Sequence, residues 1–379
     1  MAKLVTSLHS LVAEDCYILG KYAYYSQDFY HTYLWMQAAL GRELLEQNKT
    51  VARSEILDYC AYATSRQGNI RHALSLTKEW LLLDPNHERA KNNKLYYERM
   101  ILDEERREGK RGDEEIPIKN ERQVDDYRKS VEFTSYEALC RGEDIMAIKD
   151  EHRLKCRFET NNHPLLMIRP VKLEEVHLKP WIVLYHDFLS DAEIETIKTI
   201  ALPRLNRATV NNVVTGQLET ASYRVSKSAW LQSQEHIHID RVVNRIEAAT
   251  GLNMETAEEL QVANYGLGGH YEPHFDFSRR EEEGAFKSLG TGNRLATMLN
   301  YMSDVEAGGA TVFPRIGVKL FPKKGVSAFW YNLYRNGQGI EKTRHAACPV
   351  LVGTKWVSTK WIHELGQEFR RKCSLNPDE

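Results

Sequence analysis

The stretch HYEPHFDF, residues 270–277, places two histidines and an aspartate close enough in sequence to bind one metal ion together. His274 and Asp276 are two residues apart, so on a β-strand both side chains point to the same face and can reach one ion. Two ligands rarely hold a metal, and we expect His345, which lies beside an alternating strand pattern, to supply a third. Two imidazoles and one carboxylate on one side of an octahedron are typical of non-heme Fe(II) oxygenases, which keep positions open for a co-substrate and O₂.

Zinc is the alternative metal for this cluster. It prefers imidazoles or thiolates in a tetrahedron, and a hydrolase would also need a general base nearby. His270 lies four residues before His274, but Pro273 excludes a continuous helix that would bring the two together. A His-x-Asp spacing also arises by chance, often in a capped turn, so by itself it leaves the metal open.

A downstream lysine favours the oxygenase interpretation. In the stretch TKWVSTKWIH, alternation predicts one strand face made of Lys355, Val357, Thr359, Trp361 and His363. A buried lysine needs an anionic partner or must lose its proton. A dicarboxylate co-substrate would supply that partner, with one end on the metal and the other on Lys355. The alternative is a surface lysine on a polar face, and Lys360, predicted on the opposite face, is the negative control.

Short strands are predicted to position these residues. After Cys140 the sequence contains β-branched and aromatic runs such as PWIVLYHDFL, RLATMLNYM and VSAFWYNLY, bounded by Gly, Pro, Asn and Asp. Such runs indicate an all-β sandwich or barrel. The stretches SDAEIETIKTIA and DRVVNRIEAATG have helical periodicity, and we expect them to pack on the outside of the β-structure.

The first 105 residues have a helical pattern. Ala61, Gly68, Ala73 and Pro85 have the spacing of a tetratricopeptide helix–turn–helix, and the preceding stretch resembles a second pair. Two such pairs and a flanking helix would form a small solenoid with a concave face. The many tyrosines of this region either fill its core or line a groove for a proline-rich ligand, whose polyproline II helix docks on aromatic rings.

Composition excludes several classes of protein. The 379 residues contain 51 Lys plus Arg and 53 Asp plus Glu, a balance that argues against nucleic-acid binding or a membrane-surface role. No apolar run approaches the roughly 20 residues that span a bilayer. Residues 106–135 begin with a nearly continuous run of charges and are predicted to be a linker between domains at 1–105 and 136–379.

Six cysteines are present and none forms a C-x-x-C motif, which argues against zinc knuckles and thioredoxin chemistry. Pairing by sequence proximity would join Cys140 to Cys156 and Cys348 to Cys373, as an oxidising compartment permits. The alternative is six reduced, buried thiols. The N-terminal stretch is a poor signal peptide, and Asn48 is an N-glycosylation acceptor if the chain enters the secretory pathway.

Longer motifs identify a family resemblance. The stretches ELQVANYGLGGHYEPHFDF, LGTGNRLATMLNYMSDVEAGGATVFP and TRHAACPVLVGTKWVSTKWIHELGQEFRR resemble the catalytic domain of collagen prolyl 4-hydroxylase α subunits. The first hundred residues resemble the peptide-substrate-binding domain of the same family, so the resemblance covers nearly the whole chain. It implies an α+β multidomain protein: an all-α tetratricopeptide-like domain, a linker, and a double-stranded β-helix (jelly roll) with flanking helices.

The resemblance also implies a role for each matching residue. Fe(II) would be bound by His274, Asp276 and His345, and the distal carboxylate of 2-oxoglutarate by Lys355, assisted by Tyr265, Thr311 and His363. The peptide channel of the catalytic domain would be lined by Arg294, Trp361 and Glu258. The proline-rich-peptide groove of the helical domain would contain Tyr24, Asp58, Tyr59, Tyr62, Arg89, Asn93 and Tyr96. The family disulfides match Cys140–Cys156 and Cys348–Cys373, leaving Cys16 and Cys60 as free, buried thiols.

One departure from the family pattern concerns the groove. Where the family can carry another tyrosine three residues past Tyr62, this chain has Ser65, which puts the affinity and length preference for peptides in doubt. The implied reaction is 4-hydroxylation of proline in X-Pro-Gly repeats of collagen-like chains. It consumes O₂ and 2-oxoglutarate, releases succinate and CO₂, and uses L-ascorbate to rescue oxidised iron.

The resemblance further implies a protein disulfide isomerase β subunit and the lumen of the endoplasmic reticulum. The chain begins at the peptide-binding domain, so we expect a form that lacks the leader and the dimerisation segment and pairs with one β subunit. The C-terminal NPDE is not a retention tetrapeptide, so retention would fall to that partner. Lysyl hydroxylases, prolyl 3-hydroxylases and oxygen-sensing prolyl hydroxylases typically use arginine at the position of Lys355. A non-catalytic scaffold is a further alternative, which the intact metal positions and Lys355 disfavour.

Overall fold

The computed structural model describes residues 11–108, 117–122, 125–147, 150–211, 218–279, 286 and 289–376. These residues form two compact units, one within Thr6–Asp125 and the other within Asp126–Glu379. The last part of the predicted linker, residues 126–135, belongs by its contacts to the second unit and contains the start of a helix. Within the described ranges, no helix has the length and apolar content needed to cross a membrane.

The first unit is a stack of antiparallel helices. They are α1 (Ala13–Tyr25), α2 (Phe29–Leu45), α3 (Arg53–Arg66), α4 (Ile70–Leu83) and α5 (Glu88–Glu108). Asp28 caps α2 by accepting a hydrogen bond from the backbone N–H of His31, which satisfies one of the free donors of the first turn. Gly20 permits the close packing of α1 on α2, since a Cβ there would lie 2.6 Å from the Cε of Met36. The predicted helical hairpins are therefore present.

The second unit contains two facing antiparallel sheets. The larger has nine strands in the spatial order β1 (Cys156–Glu159), β2 (Val171–Leu178), β3 (Trp181–His186), β15 (Ser327–Tyr331), β11 (Arg294–Tyr301), β18 (Lys355–His363), β9 (Leu260–Tyr265), β8 (Lys227–Leu231) and β4 (Asn206–Arg207). The smaller has five, in the order β14 (Val318–Leu320), β13 (Thr311–Phe313), β16 (His345–Ala347), β10 (His270–His274) and β7 (Arg224–Val225). Two short ribbons pair β12 (Ala307–Gly308) with β17 (Val350–Val352) and β5 (Val210–Asn211) with β6 (Leu218–Glu219). The predicted jelly roll is confirmed.

Helices cover the outer face of the larger sheet, as the periodicity predicts. They are α7 (Pro164–Ile168), α8 (Asp191–Ala201) and α9 (Ile237–Thr250). Ser190 and Glu193 form a capping box at the start of α8, and Gly251 ends α9 in the left-handed conformation with φ 71°. Apolar residues of α8 and α9 share one core with Met298 and Ile362 of the sheet. The functional cavity lies against the inner face of the same sheet.

The disulfide differs from the prediction. Cys140, at the end of α6 (Val131–Cys140), bonds to Cys348, 208 residues away in sequence, with a Cα–Cα distance of 5.4 Å. The helix packs on β13 and β16 through Phe133, Tyr136 and Leu139, which carries Cys140 to Cys348. The predicted pairs Cys140–Cys156 and Cys348–Cys373 are wrong, because proximity in sequence does not give proximity in space.

The remaining cysteines are free thiols in this structure. Cys156 and Cys373 are exposed, whereas Cys16 and Cys60 are buried in the core of the helical unit. The prediction of free, buried thiols at Cys16 and Cys60 is confirmed.

Candidate metal centre and its cavity

Two neighbouring strands of the smaller sheet bring the three predicted ligands together. β10 and β16 are antiparallel, and His274 lies directly opposite His345 in their register. Asp276 follows two residues after His274. Its Oδ1 is 3.9 Å from the Nε2 of His274, and its Oδ2 is 3.6 Å from the Nε2 of His345. One ligand atom from each residue lies within 4.8 Å of the other two, a separation that one metal ion can bridge.

Hydrogen bonds fix the orientation of each ligand. The Nδ1–H of His274 donates to the carbonyl of Glu272 at 2.8 Å, and that of His345 donates to the carbonyl of Thr343 at 2.9 Å. A carbonyl only accepts, so the neutral form of each ring carries its proton on Nδ1 and presents Nε2 to the centre as a metal ligand. The hydroxyl of Thr297 donates to the Oδ2 of Asp276 at 2.7 Å, which fixes the carboxylate.

The electrostatics of the site suit metal binding. Burial and the neighbouring His345 hold the pKa of His274 well below its usual value, so this imidazole stays neutral. Burial alone would favour the protonated form of Asp276, but the nearby His345 and Arg294 and the hydrogen bond from Thr297 outweigh it and lower the pKa of Asp276. Metal ligands must be deprotonated, and both groups already are near neutral pH. The donor set of two imidazoles and one carboxylate is the one that non-heme Fe(II) oxygenases use.

Lys355 lies in the same cavity, between the two sheets. Its side chain is 1% exposed, and burial lowers its pKa to about 7. Its Nζ donates to the hydroxyl of Thr311 at 3.4 Å and lies 5.4 Å from the ring centroid of Tyr265. The structure therefore brings together three of the four residues predicted to bind the far end of a dicarboxylate.

The ammonium of Lys355 lies between the rings of Tyr265 and Tyr301. Among the residues that the structure describes, no carboxylate forms an ion pair with its ammonium. Tyr301, whose hydroxyl donates to Thr311 at 2.9 Å, adds a second aromatic ring 5.8 Å from the Nζ. An uncompensated ammonium in an aromatic pocket creates a strong preference for an anionic ligand.

The structure contradicts the predicted role of His363 beside Lys355. The two residues lie at opposite ends of β18, and eight residues at about 3.3 Å per residue separate them by about 26 Å. His363 is fully buried, and its Nε2 lies 2.9 Å from the Oε1 of Glu258. Alternation predicts the face of a strand on which a residue lies, but not its distance from another residue, and that accounts for the error.

Glu258, Arg294 and Trp361 form one network at that far end of β18. Two hydrogen bonds join Arg294 to Glu258, at 2.5 Å from Nε and 2.9 Å from Nη2, and the guanidinium lies 3.8 Å from the ring centroid of Trp361. Its Nη1 also donates to the carbonyl of Asp276 at 3.3 Å, which connects the network to the metal ligands. Trp361 lines the cavity, and Arg294 and Glu258 adjoin it through their contacts with Trp361 and Asp276.

Lys360 is on the opposite face of β18, as predicted, but it is not a surface residue. It is 3% exposed, its Nζ donates to the backbone carbonyl of Glu258, and burial lowers its pKa to about 8. Lys360 is buried because helices cover that face of the sheet as well. It remains useful as a second buried lysine outside the cavity.

Sequence reasoning missed two residues that shape the site. The ring of Tyr271 stacks on His274 with centroids 3.5 Å apart, and the guanidinium of Arg224 lies 4.9 Å above Tyr271. Tyr271 is part of the HYEPHFDF motif, so its position was a usable signal. Arg224 lies on β7, whose pairing with β10 has no local signature in the sequence.

The residues predicted for the peptide groove cluster on α1, α3 and α5. The ring of Tyr24 lies 4.9 Å from that of Tyr59 and 5.4 Å from that of Tyr62, and Asp58 pairs with Arg89 at 3.0 Å. Tyr96 is 59% exposed. Within the described residues, the Nδ2 of Asn93 and the Oδ1 of Asp58 are buried without a hydrogen-bond partner.

Two family models match the chain, one for each unit. A model for the prolyl 4-hydroxylase peptide-substrate-binding domain matches residues 13–103, and one for the 2OG-Fe(II) oxygenase superfamily matches residues 260–363. The first range contains the groove residues, and the second contains His274, Asp276, His345 and Lys355.

Named relatives align along almost the whole chain. Prolyl 4-hydroxylase subunit alpha-1 of Mus musculus is 52% identical over 372 residues, which are 97% of this chain and 69% of the relative. Prolyl 4-hydroxylase subunit alpha-2 of Caenorhabditis elegans is 50% identical over 371 residues, 98% of this chain and 67% of the relative. The crystal structure of a viral collagen prolyl hydroxylase from Paramecium Bursaria Chlorella virus-1 with 2OG is 26% identical with a TM-score of 0.39, over 48% of this chain and 96% of that one.

Proposed function

The chain belongs to the family of prolyl 4-hydroxylase α subunits, and from this premise we propose that it hydroxylates C4 of proline in X-Pro-Gly repeats of collagen-like chains. It is an Fe(II)/2-oxoglutarate-dependent dioxygenase, since it combines the family's oxygenase domain with a fitting metal centre. Fe(II) together with 2-oxoglutarate supplies the oxidising power that inserts one atom of O₂ into a C–H bond, with succinate and CO₂ as the other products. The remaining tasks belong to the chain's own residues.

We assign Fe(II) to the three metal ligands and the distal carboxylate of 2-oxoglutarate to Lys355. His274, Asp276 and His345 would hold Fe(II) through one ligand atom each. Lys355 neutralises the distal carboxylate of 2-oxoglutarate, and the hydroxyl of Thr311 fixes the position of its ammonium. Since the ammonium is desolvated already, its pairing with a carboxylate is stronger here than in water. The ring of Tyr265 closes the apolar side of the same pocket.

The prolyl substrate is assigned to the opposite end of the cavity. Trp361 offers an apolar surface there, and its indole N–H is buried without a partner among the described residues, so it can donate to a peptide carbonyl. The Arg294 guanidinium lies on that indole, Glu258 holds Arg294 in place, and Arg294 also contacts the Asp276 backbone. The pyrrolidine ring would thereby be held next to the open positions of the metal.

The helical unit is proposed to bind further proline repeats of the same chain. Crossed rings such as Tyr24, Tyr59 and Tyr62 provide the surfaces on which a polyproline II helix packs, and the free polar atoms of Asp58 and Asn93 can bond its backbone. Ser65 donates to the backbone carbonyl of Tyr62 and contributes no ring to this groove. We therefore propose that the groove contacts the peptide over a shorter length, or more weakly, where Ser65 lies.

The cellular setting follows from the family by extension. We propose that the chain works in the lumen of the endoplasmic reticulum with L-ascorbate and with a protein disulfide isomerase β subunit. A disulfide between Cys140 and Cys348 is compatible with an oxidising compartment, and Asn48 is exposed, as an N-glycosylation site must be. Co-purification with that partner from the secretory pathway would support this part of the proposal, and a cytosolic location would contradict it.

The observation that carries the proposal is the unpaired ammonium of Lys355 in one cavity with the metal-ligand cluster. The test is incubation with Fe(II), ascorbate and a Pro-Pro-Gly repeat peptide, with and without 2-oxoglutarate, followed by mass-spectrometric mapping of the products. We expect a gain of one oxygen at proline before glycine, with an equal amount of succinate, only in the complete mixture. Oxidation that is independent of 2-oxoglutarate, or none at all, would contradict the proposal.

A further inference from the structure

A carboxylate of α6 contacts the residues that flank the metal ligands. Glu132 lies in the first turn of the helix, with a side chain that is 20% exposed. Its Oε1 is 2.8 Å from the Nε of Arg344 and 3.3 Å from the Nε of Arg315. Arg344 immediately precedes the ligand His345, so Glu132 is one residue removed from a metal-binding position.

The two arginines connect Glu132 to the other ligand segment. The guanidinium of Arg344 lies 4.9 Å from the ring centroid of Phe275, and that of Arg315 lies 5.4 Å from the same centroid. Phe275 stands between His274 and Asp276 in the sequence. One carboxylate, that of Glu132, therefore pairs with two cations that lie against the ring of Phe275. The backbone of Phe275 joins two of the three metal ligands, His274 and Asp276.

Neighbouring contacts place the same segment against both ligand strands. Arg128, which precedes α6, is 3.5 Å from Glu272, the residue whose carbonyl orients the ring of His274. Phe133 packs in one core with Ala346, the residue after His345. The helix and the residue before it thus contact neighbours of two of the metal ligands.

We propose that Glu132 is a positioning residue of the metal centre, acting through Arg344, Arg315 and Phe275 to fix the relative position of the two ligand segments. This inference rests on the proposed function, because it assumes that the three ligands bind a divalent metal. The physical reason is the charge balance: Arg315 also pairs with Glu341, but among the described residues Glu132 is the carboxylate that pairs with Arg344, so its removal leaves the Arg344 guanidinium uncompensated beside Arg315 and Phe275. The segments that they hold then lose the geometry on which metal affinity depends.

The test compares Mn²⁺ binding by the full chain and its variants, measured by isothermal titration calorimetry. Glu132→Gln keeps the shape and removes the charge, and we expect Mn²⁺ affinity to fall about tenfold, as for residues that support metal ligands. Glu132→Asp keeps the charge and should recover part of the affinity. Glu137→Gln is the matched control, because Glu137 lies on the same helix and the carboxylate that pairs with the two arginines is that of Glu132.

A double variant separates positioning from general stability. If Glu132 acts through Arg344, adding Glu132→Gln to Arg344→Met should weaken Mn²⁺ binding by much less than it does in the parent. Unchanged affinity in Glu132→Gln, an equal loss in Glu137→Gln, or a loss fully explained by a smaller folded fraction would each overturn the inference. A parent chain that fails to bind Mn²⁺ would overturn the proposed function as well, whereas Mn²⁺ binding by the parent allows the role of Glu132 to be tested separately.

Discussion

At the scale of single residues, the two buried lysines of β18 provide a matched comparison. Lys355 faces the cavity and Lys360 faces the helix-covered side, yet both are nearly inaccessible. We expect Lys355→Met to raise the KM for 2-oxoglutarate by roughly 30- to 150-fold, which corresponds to a charge-assisted bond of about 2–3 kcal/mol. Lys360→Met should leave this KM unchanged. Steady-state kinetics with 2-oxoglutarate as the varied substrate measures both, and equal losses would refute the assignment of Lys355.

The pKa of Lys355 predicts how co-substrate binding depends on pH. Burial lowers this pKa to about 7, so the free protein loses the ammonium as pH rises above that value. Affinity for 2-oxoglutarate should be highest below pH 7 and fall by up to tenfold per pH unit above it. Calorimetric titrations between about pH 6 and pH 9 test this expectation. The slope should disappear in Lys355→Met, and a slope that persists there would assign the effect to another group.

The lowered pKa of Lys355 also determines how the stability of the ligand-free protein changes with pH. Between the folded pKa of about 7 and the unfolded value of 10.5, the unfolded chain binds more protons at Lys355 than the folded chain does. This residue therefore destabilises the ligand-free protein below pH 7, and the penalty is relieved as pH rises through that window.

Single residues also show what sequence reasoning achieves and where it stops. Alternation along β18 predicts correctly that Lys355, Thr359 and Trp361 share the cavity face. It gives neither the 26 Å or so between Lys355 and His363 nor the burial of Lys360, because distance along a strand and the cover on its outer face depend on the whole sheet. His363 instead belongs to the Glu258 network.

At the scale of elements, a glycine controls the approach of two short strands next to Thr311. Gly308 of β12 has φ 79°, and a Cβ there would lie 2.3 Å from the carbonyl oxygen of Pro349. Since both the backbone conformation and the contact exclude a side chain, we expect Gly308→Ala to cost at least about 2 kcal/mol of unfolding free energy. Chemical denaturation measures the change.

Gly41 of α2 supplies the control for this substitution. A Cβ there would meet no atom within 4 Å, so Gly41→Ala should be neutral or stabilise the helix by up to about 1 kcal/mol. A Gly308→Ala variant as stable as Gly41→Ala would show that the close approach of β12 and β17 is not needed.

The sequence predicts which segments form helices and strands, but not which of these elements contact each other. Strand composition and the periods of α8 and α9 predict a jelly roll with outer helices, because each signal is local. The contact of α6 with β16 joins residues about 210 positions apart, as in the disulfide with a separation of 208, and no local pattern encodes it. For this reason the cysteine pairing and the role of the residues before Cys140 emerged only from the structure.

At the scale of the whole molecule, the two units are expected to act on one long substrate. If the helical unit adds a second contact, its loss should affect only peptides long enough to occupy both sites. We expect Tyr62→Ala to raise the KM for a long proline-repeat peptide about tenfold, with kcat and the KM for a short peptide unchanged. Kinetics on a series of peptide lengths makes this measurement.

Tyr22 provides the control in the same unit, because its side chain is 71% exposed and lies on α1 outside the ring cluster of Tyr24, Tyr59 and Tyr62. Tyr22→Ala should leave both values of KM unchanged. A Tyr62→Ala variant that loses activity equally on short and long peptides would contradict a separate peptide-binding role for the helical unit.

The central claim is that one cavity holds Fe(II) at one end and the distal carboxylate of 2-oxoglutarate at Lys355. The most direct measurement is an anaerobic crystal structure with Fe(II) and 2-oxoglutarate, with the iron located by anomalous scattering. The predicted result is one iron peak bounded by His274 Nε2, Asp276 and His345 Nε2, with the distal carboxylate in contact with the Lys355 ammonium. An iron peak elsewhere, or a keto acid bound away from Lys355, would contradict the account.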